Sequence, residues 1–282
     1  MRREERRAMD GVESTEKFPV GIIGGTGGMG QWFARFLIRE GYPVLVSGRK
    51  VGPGPAEMAG ACPVVLVSVP IGVTCQVIRR VGPFMRQESL LMDLTSLKAE
   101  PVRAMLESSV SEVIGLHPLF GPAEPSLAGK NVAICPARGK KWLSWLWGLL
   151  EKSGARLVET TPERHDEIMA LVQGINHLDT LIMGMVLMES GLDPAVLERF
   201  STPILRAKME IIQKVFSHPD LYAQIIALNP HVRQVMDLFE RKFAELKSIV
   251  EKGRVEDLRK RILQGAAGAW TGESHFVAAA GR

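Results

Sequence analysis

The chain has 282 residues, of which 46% are hydrophobic and 23% charged, enough for two modest domains around a buried core and too apolar for a disordered chain. Its formal net charge of +4 is mild, the opening MRREERR already carries side-chain charges summing to +2, and no basic stripe alternates with aromatics, which excludes a nucleic-acid surface and fits a pocket for small anions. Cys62, Cys75 and Cys135 lie far apart, matching neither a zinc pattern nor a disulfide framework, so no metal is expected and a reducing cytoplasm is the expected compartment.

Residues 1–18 are polar, lack an apolar core for a secretion signal, and read as a disordered leader. From 19 to 160, short Val/Ile/Leu-rich runs alternate with helical segments. Strands are expected at 20–24, 43–47, 63–69, 89–94, 112–116, 131–135 and 155–159, and helices at 28–40, 73–80, 99–108 and 139–153. Near-continuous apolar strands imply burial on both faces, and the alternation predicts an α/β, Rossmann-like doubly wound parallel sheet. After TTPERHD the strands stop. Thr161, Pro162 and Glu163 combine a hydroxyl cap, a proline at the first helical position and an acid in the first turn. Helices are expected at 163–190, 193–216, 219–228, 231–252 and 254–264, making 161–265 an all-α domain. Its apolar surplus, as in IMALVQGINHLDTLIMGMVLM, predicts a buried homodimer face. No uninterrupted apolar run of 18 residues is present, so no membrane span is expected, and 266–282 read as a flexible tail.

The first chemical motif is Gly25-Thr26-Gly27-Gly28-Met29-Gly30, a G-x-G-x-x-G between the first strand and the first helix. Gly25 is assigned to the tight turn, Gly27 to close approach of a pyrophosphate and Gly30 to helix–strand packing, with the helix N-terminus facing the phosphates. At the end of the second strand, where NAD sites place an acid, the sequence reads Ser47-Gly48-Arg49-Lys50. A carboxylate there would repel a 2′-phosphate, whereas Arg49 can clamp one, so NADP is preferred over NAD. Ser68 and Pro70, after the third strand, border the cofactor by position at the ligand-binding edge of the sheet.

Two further strand ends point to the same edge. MDLTSLK puts Thr95, Ser96 and Lys98 after the fourth strand, and GLHPLFGP puts His117 after the fifth. A neutral imidazole there can accept a proton from an alcohol as hydride leaves the adjacent carbon. Pro118, Gly121 and Pro122 stop the strand and stiffen the loop around the ring.

The glycine loop, DLTSLK, GLHPLFGP, HDEIMALVQGINH and PILRAKMEIIQKVFSHPDLYAQII together resemble prephenate dehydrogenase of the bacterial and archaeal tyrosine-biosynthesis family, over about residues 19–264. The resemblance implies an NAD(P)-binding domain followed by a helical dimerisation domain. It also implies oxidative decarboxylation of prephenate to 4-hydroxyphenylpyruvate, without a metal. His117 would then accept the 4-hydroxyl proton and Ser96 would orient that hydroxyl, with Thr95 beside it. Arg206 and Lys214 would hold the two carboxylates, and His177 and Gln173, four apart on one helix face, would line the pocket. Family members commonly carry arginine where this chain has Lys214, and lysine keeps the charge but gives up the forked contact. His165, in PERHDE, is expected to make a capping or interdomain hydrogen bond. His218, His231 and His275 read as structural or exposed, and Trp142, Trp145 and Trp147 as helix packing.

Arogenate or cyclohexadienyl dehydrogenase activity is the near alternative, and no residue separates it from the prephenate reaction. The nucleotide loop alone also resembles deazaflavin-dependent NADP reductases, which give no reason for GLHPLFGP and PILR to occur together. A β-hydroxyacid dehydrogenase would use a lysine of the helical domain as its acid/base. A non-catalytic NADP-binding regulator would not need the histidine–hydroxyl pair. The eighteen residues after position 264 are too few for a further catalytic domain in this chain.

Overall fold

The computed structural model describes residues 17–269, which fall into two compact units dividing after Val232. In the first unit seven strands form one sheet: β1 (Val20–Ile23), β2 (Val44–Ser47), β3 (Val64–Val67), β4 (Leu90–Asp93), β5 (Glu112–Pro118), β6 (Asn131–Arg138) and β7 (Arg156–Glu159). Their order is β2-β1-β3-β4-β5-β6-β7, so the direction of winding reverses beside β1. That reversal opens a crevice at the carboxyl ends of β1 and β3, the standard ligand position in such sheets.

Helices cover both faces. On one, α1 (Gly28–Arg39) and α5 (Lys141–Lys152) bury Trp32, Phe33, Phe36, Leu37, Trp142, Leu146 and Leu150 against Val64, Leu66, Leu90 and Met92. On the other, α2 (Pro55–Ala61), α3 (Ile71–Val81) and α4 (Ala99–Ser108) bury Met58, Ile78, Val81, Val102 and Met105 against Val65, Val67 and Leu91. Alternate residues of one strand thus face opposite cores, which is why these strands read as continuous apolar runs. The tryptophans pack as expected: Trp142 Nε1 donates to Glu88 O at 2.8 Å and Trp145 Nε1 to the Tyr42 hydroxyl at 2.7 Å.

Three expectations are corrected here. The sheet is not wholly parallel: β6 runs antiparallel to β5, because residues 119–130 contain no helix to carry a crossover and the chain returns directly. Helix α2, seven residues between Gly54 and Cys62, was not anticipated; it is too short to show a periodic apolar stripe. The expected leader includes Lys17 and Phe18, which are packed: the Phe18 ring lies 5.0–5.3 Å from those of Tyr42, Trp142 and Trp145. The rest of the leader, residues 1–16, lies outside the described residues.

The glycine loop joins β1 to α1. Its left-handed residue is Gly24 (φ +83°), one position before the glycine assigned to the turn. A Cβ on Gly24 would come within 2.1 Å of Ser68 O, and one on Gly25 within 2.7 Å of the Val46 side chain. Gly30 acts as expected, since a Cβ there would meet Gly24 O at 2.4 Å and Gly25 Cα at 2.7 Å.

After β7, Thr161 caps α6 (Pro162–Met169) by accepting from Arg164 N at 3.2 Å. One π-helical turn (Ala170–Ile175) follows, then α7 (Asn176–Glu189), α8 (Pro194–Phe200), α9 (Pro203–Phe216) and α10 (Pro219–Ala227). The helix expected over 193–216 is two helices, because Thr202 caps a second one and Pro203 opens it. Helix α9 lies close on α7 at Gly184, where a Cβ would meet the Phe216 ring at 2.5 Å. Pro162–Glu189 is continuous over 28 residues and contains an 18-residue stretch of mean hydropathy 1.3, 11% of it buried, so by length and composition it could cross a bilayer. Polar residues such as Gln173, Asn176, His177 and Asp179 interrupt its apolar pattern, so it contains no unbroken apolar run of 18 residues. The second unit contains α11, which begins at Val232 (Val232–Glu251), and α12 (Val255–Ala269), joined by the Arg261–Glu245 ion pair. Helix α12 continues past the expected start of the tail at 266; residues 270–282, with His275, lie outside the described residues.

The crowding at Gly30 yields a prediction. Gly30→Ala should lower stability in urea unfolding by about 1–3 kcal/mol, since only backbone surrounds the added methyl. Gly27→Ala, whose nearest neighbour would be Gly24 O at 3.4 Å, should cost clearly less.

Candidate active site

The cofactor side of the site is built from strand ends. Thr26, Gly27 and Gly28 form the exposed tip of the glycine loop, while Met29 and Gly30 turn into the core. No side chain caps the N-terminus of α1, leaving its first N–H groups and positive dipole end available to an anion. Space above Gly27 and an uncapped twelve-residue helix fit the pyrophosphate of a dinucleotide. Ser47 is buried, and its carbonyl accepts from Gly24 N and Gly25 N at 2.7 and 3.1 Å, which fixes β2 against the loop. Gly48 touches Thr26, since a Cβ there would lie 2.7 Å from Thr26 Oγ1. Arg49 and Lys50 are exposed beyond it, and residues 47–54 contain no acid. Ser68 N donates to Ile23 O at 2.7 Å and Pro70 is exposed at the start of α3, so both lie at the crevice edge.

The loop following His117 is tied to this cofactor edge. Pro122 lies against Gly28, the Phe120 ring is 5.1 Å from that of Trp32, and Trp32 Nε1 donates to Glu124 O at 2.6 Å. The proline-rich loop is therefore clamped over the start of α1.

His117 is buried in β5 opposite Ala133, two residues past the paired end of β4. Its Nδ1 lies 2.9 Å from His165 Nε2, and His165 Nδ1 lies 2.8 Å from Asp166 Oδ1. The Asp166 carboxylate also accepts from Lys98 N at 2.7 Å and Ala99 N at 2.9 Å, capping α4 from another element. Asn229 Nδ2 donates to Asp166 O at 2.8 Å. Burial, then the neighbouring His165 and Lys98, hold the His117 pKa well below the usual histidine value, so the ring is neutral at neutral pH. For His165 a capping or interdomain hydrogen bond is expected from sequence; its ring bonds instead to Asp166 and to the candidate base itself, all within the first compact unit.

Sequence reasoning paired His117 with Ser96. Among the described residues, Ser96 is half-buried and its hydroxyl makes no hydrogen bond, while His117 is engaged by His165. The Thr95 hydroxyl is turned inward, 2.6 Å from Asp93 Oδ2 and donating to Leu97 O at 2.8 Å, so it shapes the loop. Lys98, fully buried, pairs with the equally buried Asp93 and donates to Leu116 O at 3.0 Å. From sequence Lys98 is placed only by position, after the fourth strand, and Asp93 is not singled out, because nothing in the local sequence shows that the two leave water as a pair.

The remaining candidate residues belong to the helical segment. The π turn carries Gln173, whose Oε1 is buried without a hydrogen-bond partner among the described residues. Such turns often mark functional positions, because one inserted residue re-aims the side chains. His177 follows on α7, its ring edge-on to Tyr222 at 4.7 Å. Burial, and then the charge of Lys214, lower the His177 pKa, which places Lys214 beside it electrostatically. Lys214 and Arg206 are both exposed on α9. Gln224 of α10 accepts from Gly72 N at 2.7 Å, holding α10 against the start of α3. Burial raises the thiols of Cys62 to about 11 and Cys135 to about 12, so neither is a nucleophile. His218 is exposed, with Nδ1 3.0 Å from Lys214 O, and the backbone N of the half-buried His231 donates to Asn229 Oδ1.

Residues 34–159 match the family model of the prephenate dehydrogenase nucleotide-binding domain, and residues 161–264 match that of its dimerisation domain. The chain belongs to the prephenate dehydrogenase family. The nucleotide-binding match begins inside α1, so the glycine loop is assigned by its own geometry. A probable arogenate/prephenate dehydrogenase of Methanocaldococcus jannaschii is 36% identical over 268 residues, covering 88% of this chain and 60% of the relative. The T-protein of Haemophilus influenzae is 33% identical over 231 residues, covering 82% and 61%. The chain thus spans about three-fifths of the length of these curated relatives. The crystal structure of prephenate dehydrogenase from Aquifex aeolicus in complex with hydroxyphenyl propionate and NAD+ superposes with a TM-score of 0.69 at 20% identity, over 90% of this chain and 98% of that one. The likeness establishes the same sheet-and-helix fold.

In this member of the prephenate dehydrogenase family the Lys98–Asp93 pair generates a prediction. Lys98→Met leaves the Asp93 carboxylate buried without its cation and should cost about 3–5 kcal/mol in chemical denaturation. Exchanging both, Lys98→Met with Asp93→Leu, should recover much of that loss.

Proposed function

We propose that this chain is a prephenate dehydrogenase of tyrosine biosynthesis, converting prephenate to 4-hydroxyphenylpyruvate and carbon dioxide. The carrying observation is that His117 is held at the C-terminal edge of β5 by its Nδ1, leaving Nε2 as the nitrogen that can meet a substrate hydroxyl. A bound nicotinamide dinucleotide would supply the hydride acceptor. His117 Nε2 takes the proton of the ring 4-hydroxyl as hydride leaves that carbon. The resulting ring ketone withdraws electrons from the bond to the ring carboxylate, carbon dioxide departs and the ring becomes aromatic. Ser96, with its hydroxyl free, orients the substrate hydroxyl, and Thr95 sets the loop that carries Ser96. Arg206 and Lys214 supply cations for the two carboxylates, while His177 and Gln173 shape the pocket around the side chain. Arogenate, with an amine in place of the side-chain ketone, is the alternative substrate for the same residues.

NADP is the cofactor favoured by Arg49 and Lys50 and by the acid-free loop 47–54. A homodimer through the helical segment accounts for the exposed apolar side chains of α7 to α9, among them Met185, Val186, Met188, Phe200 and Ile204. That occupant, a second copy, also accounts for the hydropathy of Pro162–Glu189 without a bilayer, and three free thiols fit the cytoplasm.

Steady-state assays of prephenate and arogenate with NAD and NADP test this reading. Turnover with neither substrate would overturn it. His117→Asn should reduce kcat on the order of 10²–10⁴-fold with little change in KM, and surviving turnover would remove His117 as the base. In the wild type, kcat/KM should hold as pH falls through about 6.5 and decline only below it, because a lowered pKa keeps the base unprotonated there. Arg49→Ala should raise KM for NADP about tenfold and leave NAD unchanged; equal losses with both would exclude a 2′-phosphate contact.

A further inference from the structure

Three nitrogen–oxygen contacts and one nitrogen–nitrogen contact fix where the protons lie along His117, His165 and Asp166. Asp166 accepts two backbone N–H groups at the start of α4, an arrangement that suits an ionised, acceptor-only carboxylate. Its Oδ1 therefore accepts from His165 Nδ1, which must carry hydrogen. A neutral imidazole bears one N–H, so His165 Nε2 is an acceptor. The group facing it at 2.9 Å, His117 Nδ1, must then be the donor. It follows that Nε2 of His117 is bare, and a bare Nε2 is what a base at that position requires. Every member of this chain is buried, His165 and Asp166 at 1% and 2% exposure, so water does not compete for these hydrogen bonds. The nearby Lys98 ammonium is taken up by Asp93 and Leu116 O and makes no hydrogen bond to either ring.

We propose that His165 and Asp166 are positioning residues that hold His117 in the Nδ1–H tautomer and stabilise the imidazolium formed when its Nε2 takes the substrate proton. This rests on the reading of His117 as the base. The logic is that of a carboxylate orienting a catalytic imidazole, with a second imidazole inserted between them. The carboxylate can act at that distance because His165 relays its polarity through one aligned N–H. As His117 becomes positively charged, His165 Nε2 already points a lone pair at its Nδ1–H, and no reorganisation is needed. Asp166 does this while capping α4, the helix that follows the Thr95–Lys98 loop, so the base and the hydroxyl-bearing loop are referred to one carboxylate.

The test is the tautomer itself, read from nitrogen–proton correlation spectra of cofactor-free protein labelled with ¹⁵N in its histidine rings. Resonances are assigned by their loss in His117→Asn and His165→Gln. The expected result is that His117 and His165 are both Nδ1–H tautomers in the wild type; an Nε2–H tautomer at His117 overturns the proposal whatever the variants do. His165→Leu removes the acceptor and should shift His117 toward Nε2–H, lowering kcat on the order of 10²-fold with KM nearly unchanged. His165→Gln restores an acceptor oxygen and should recover most of that kcat. Equal losses in the two variants with the His117 tautomer unchanged would mean that His165 serves packing only, and would overturn the proposal. If His165→Leu fails to fold, the wild-type spectrum and His165→Gln still decide. Failure of the base reading is separate: it is a His117→Asn protein that still turns over.

Discussion

The carboxylate of Asp166 is the point on which the candidate site turns. It receives the first two N–H groups of α4 and the Nδ1 hydrogen of His165, and its own carbonyl is held by Asn229. One residue, through its carboxylate and its main-chain carbonyl, therefore joins the first helix after the sheet to a helix on the sheet's flank and to the chain just before the second unit. A helix N-terminus is a natural seat for a carboxylate, because its free N–H groups and dipole favour negative charge. Here the same preference fixes an imidazole chain that ends at His117. Structural capping and orientation of the base are thus one set of hydrogen bonds, and neither can be altered alone.

Beneath this chain lies a second buried polar element, the Lys98–Asp93 pair. Ion pairs removed from water gain little net stability over an apolar replacement, but they tolerate few geometries. Lys98 spans from the loop after β4 to Leu116 O in β5, and Asp93 Oδ2 also holds the Thr95 hydroxyl. The two strand ends that carry Ser96 and His117 are therefore fixed relative to each other by contacts that have no good alternative arrangement. The cofactor edge is tied in from the other side, where Pro122 meets Gly28 and Trp32 holds Glu124.

The helical segment contributes a different kind of constraint. Near its start His165 and Asp166 are polar and buried, whereas α7 to α9 expose large apolar side chains. The π turn at Ala170–Ile175 marks the change, inserting a residue between the half that serves the sheet and the half that offers an apolar face. Membership of the prephenate dehydrogenase family, with its dimerisation domain matched over 161–264, places that face in a family context.

What could be read from sequence was local. A glycine-rich turn between an apolar strand and a helix declares itself within a few residues, because it depends on backbone conformations that only glycine adopts freely; even so, the left-handed residue is Gly24 and not Gly25. The alternation of apolar runs with helices likewise reported the doubly wound sheet, and Thr161-Pro162-Glu163 reported a helix start. His117 stood out because a histidine ended a buried strand and a proline followed. Tertiary structure alone decided the partner of that histidine. The sequence suggested Ser96, 21 residues earlier, and packing brought His165, 48 residues later. Tertiary structure also decided that Lys98 and Asp93 leave water together and that β6 reverses. Hydrogen-bond direction is a property of the assembled chain: which nitrogen of His117 is bare follows from where α6 sets Asp166 against α4, and no stretch of neighbouring residues contains that information.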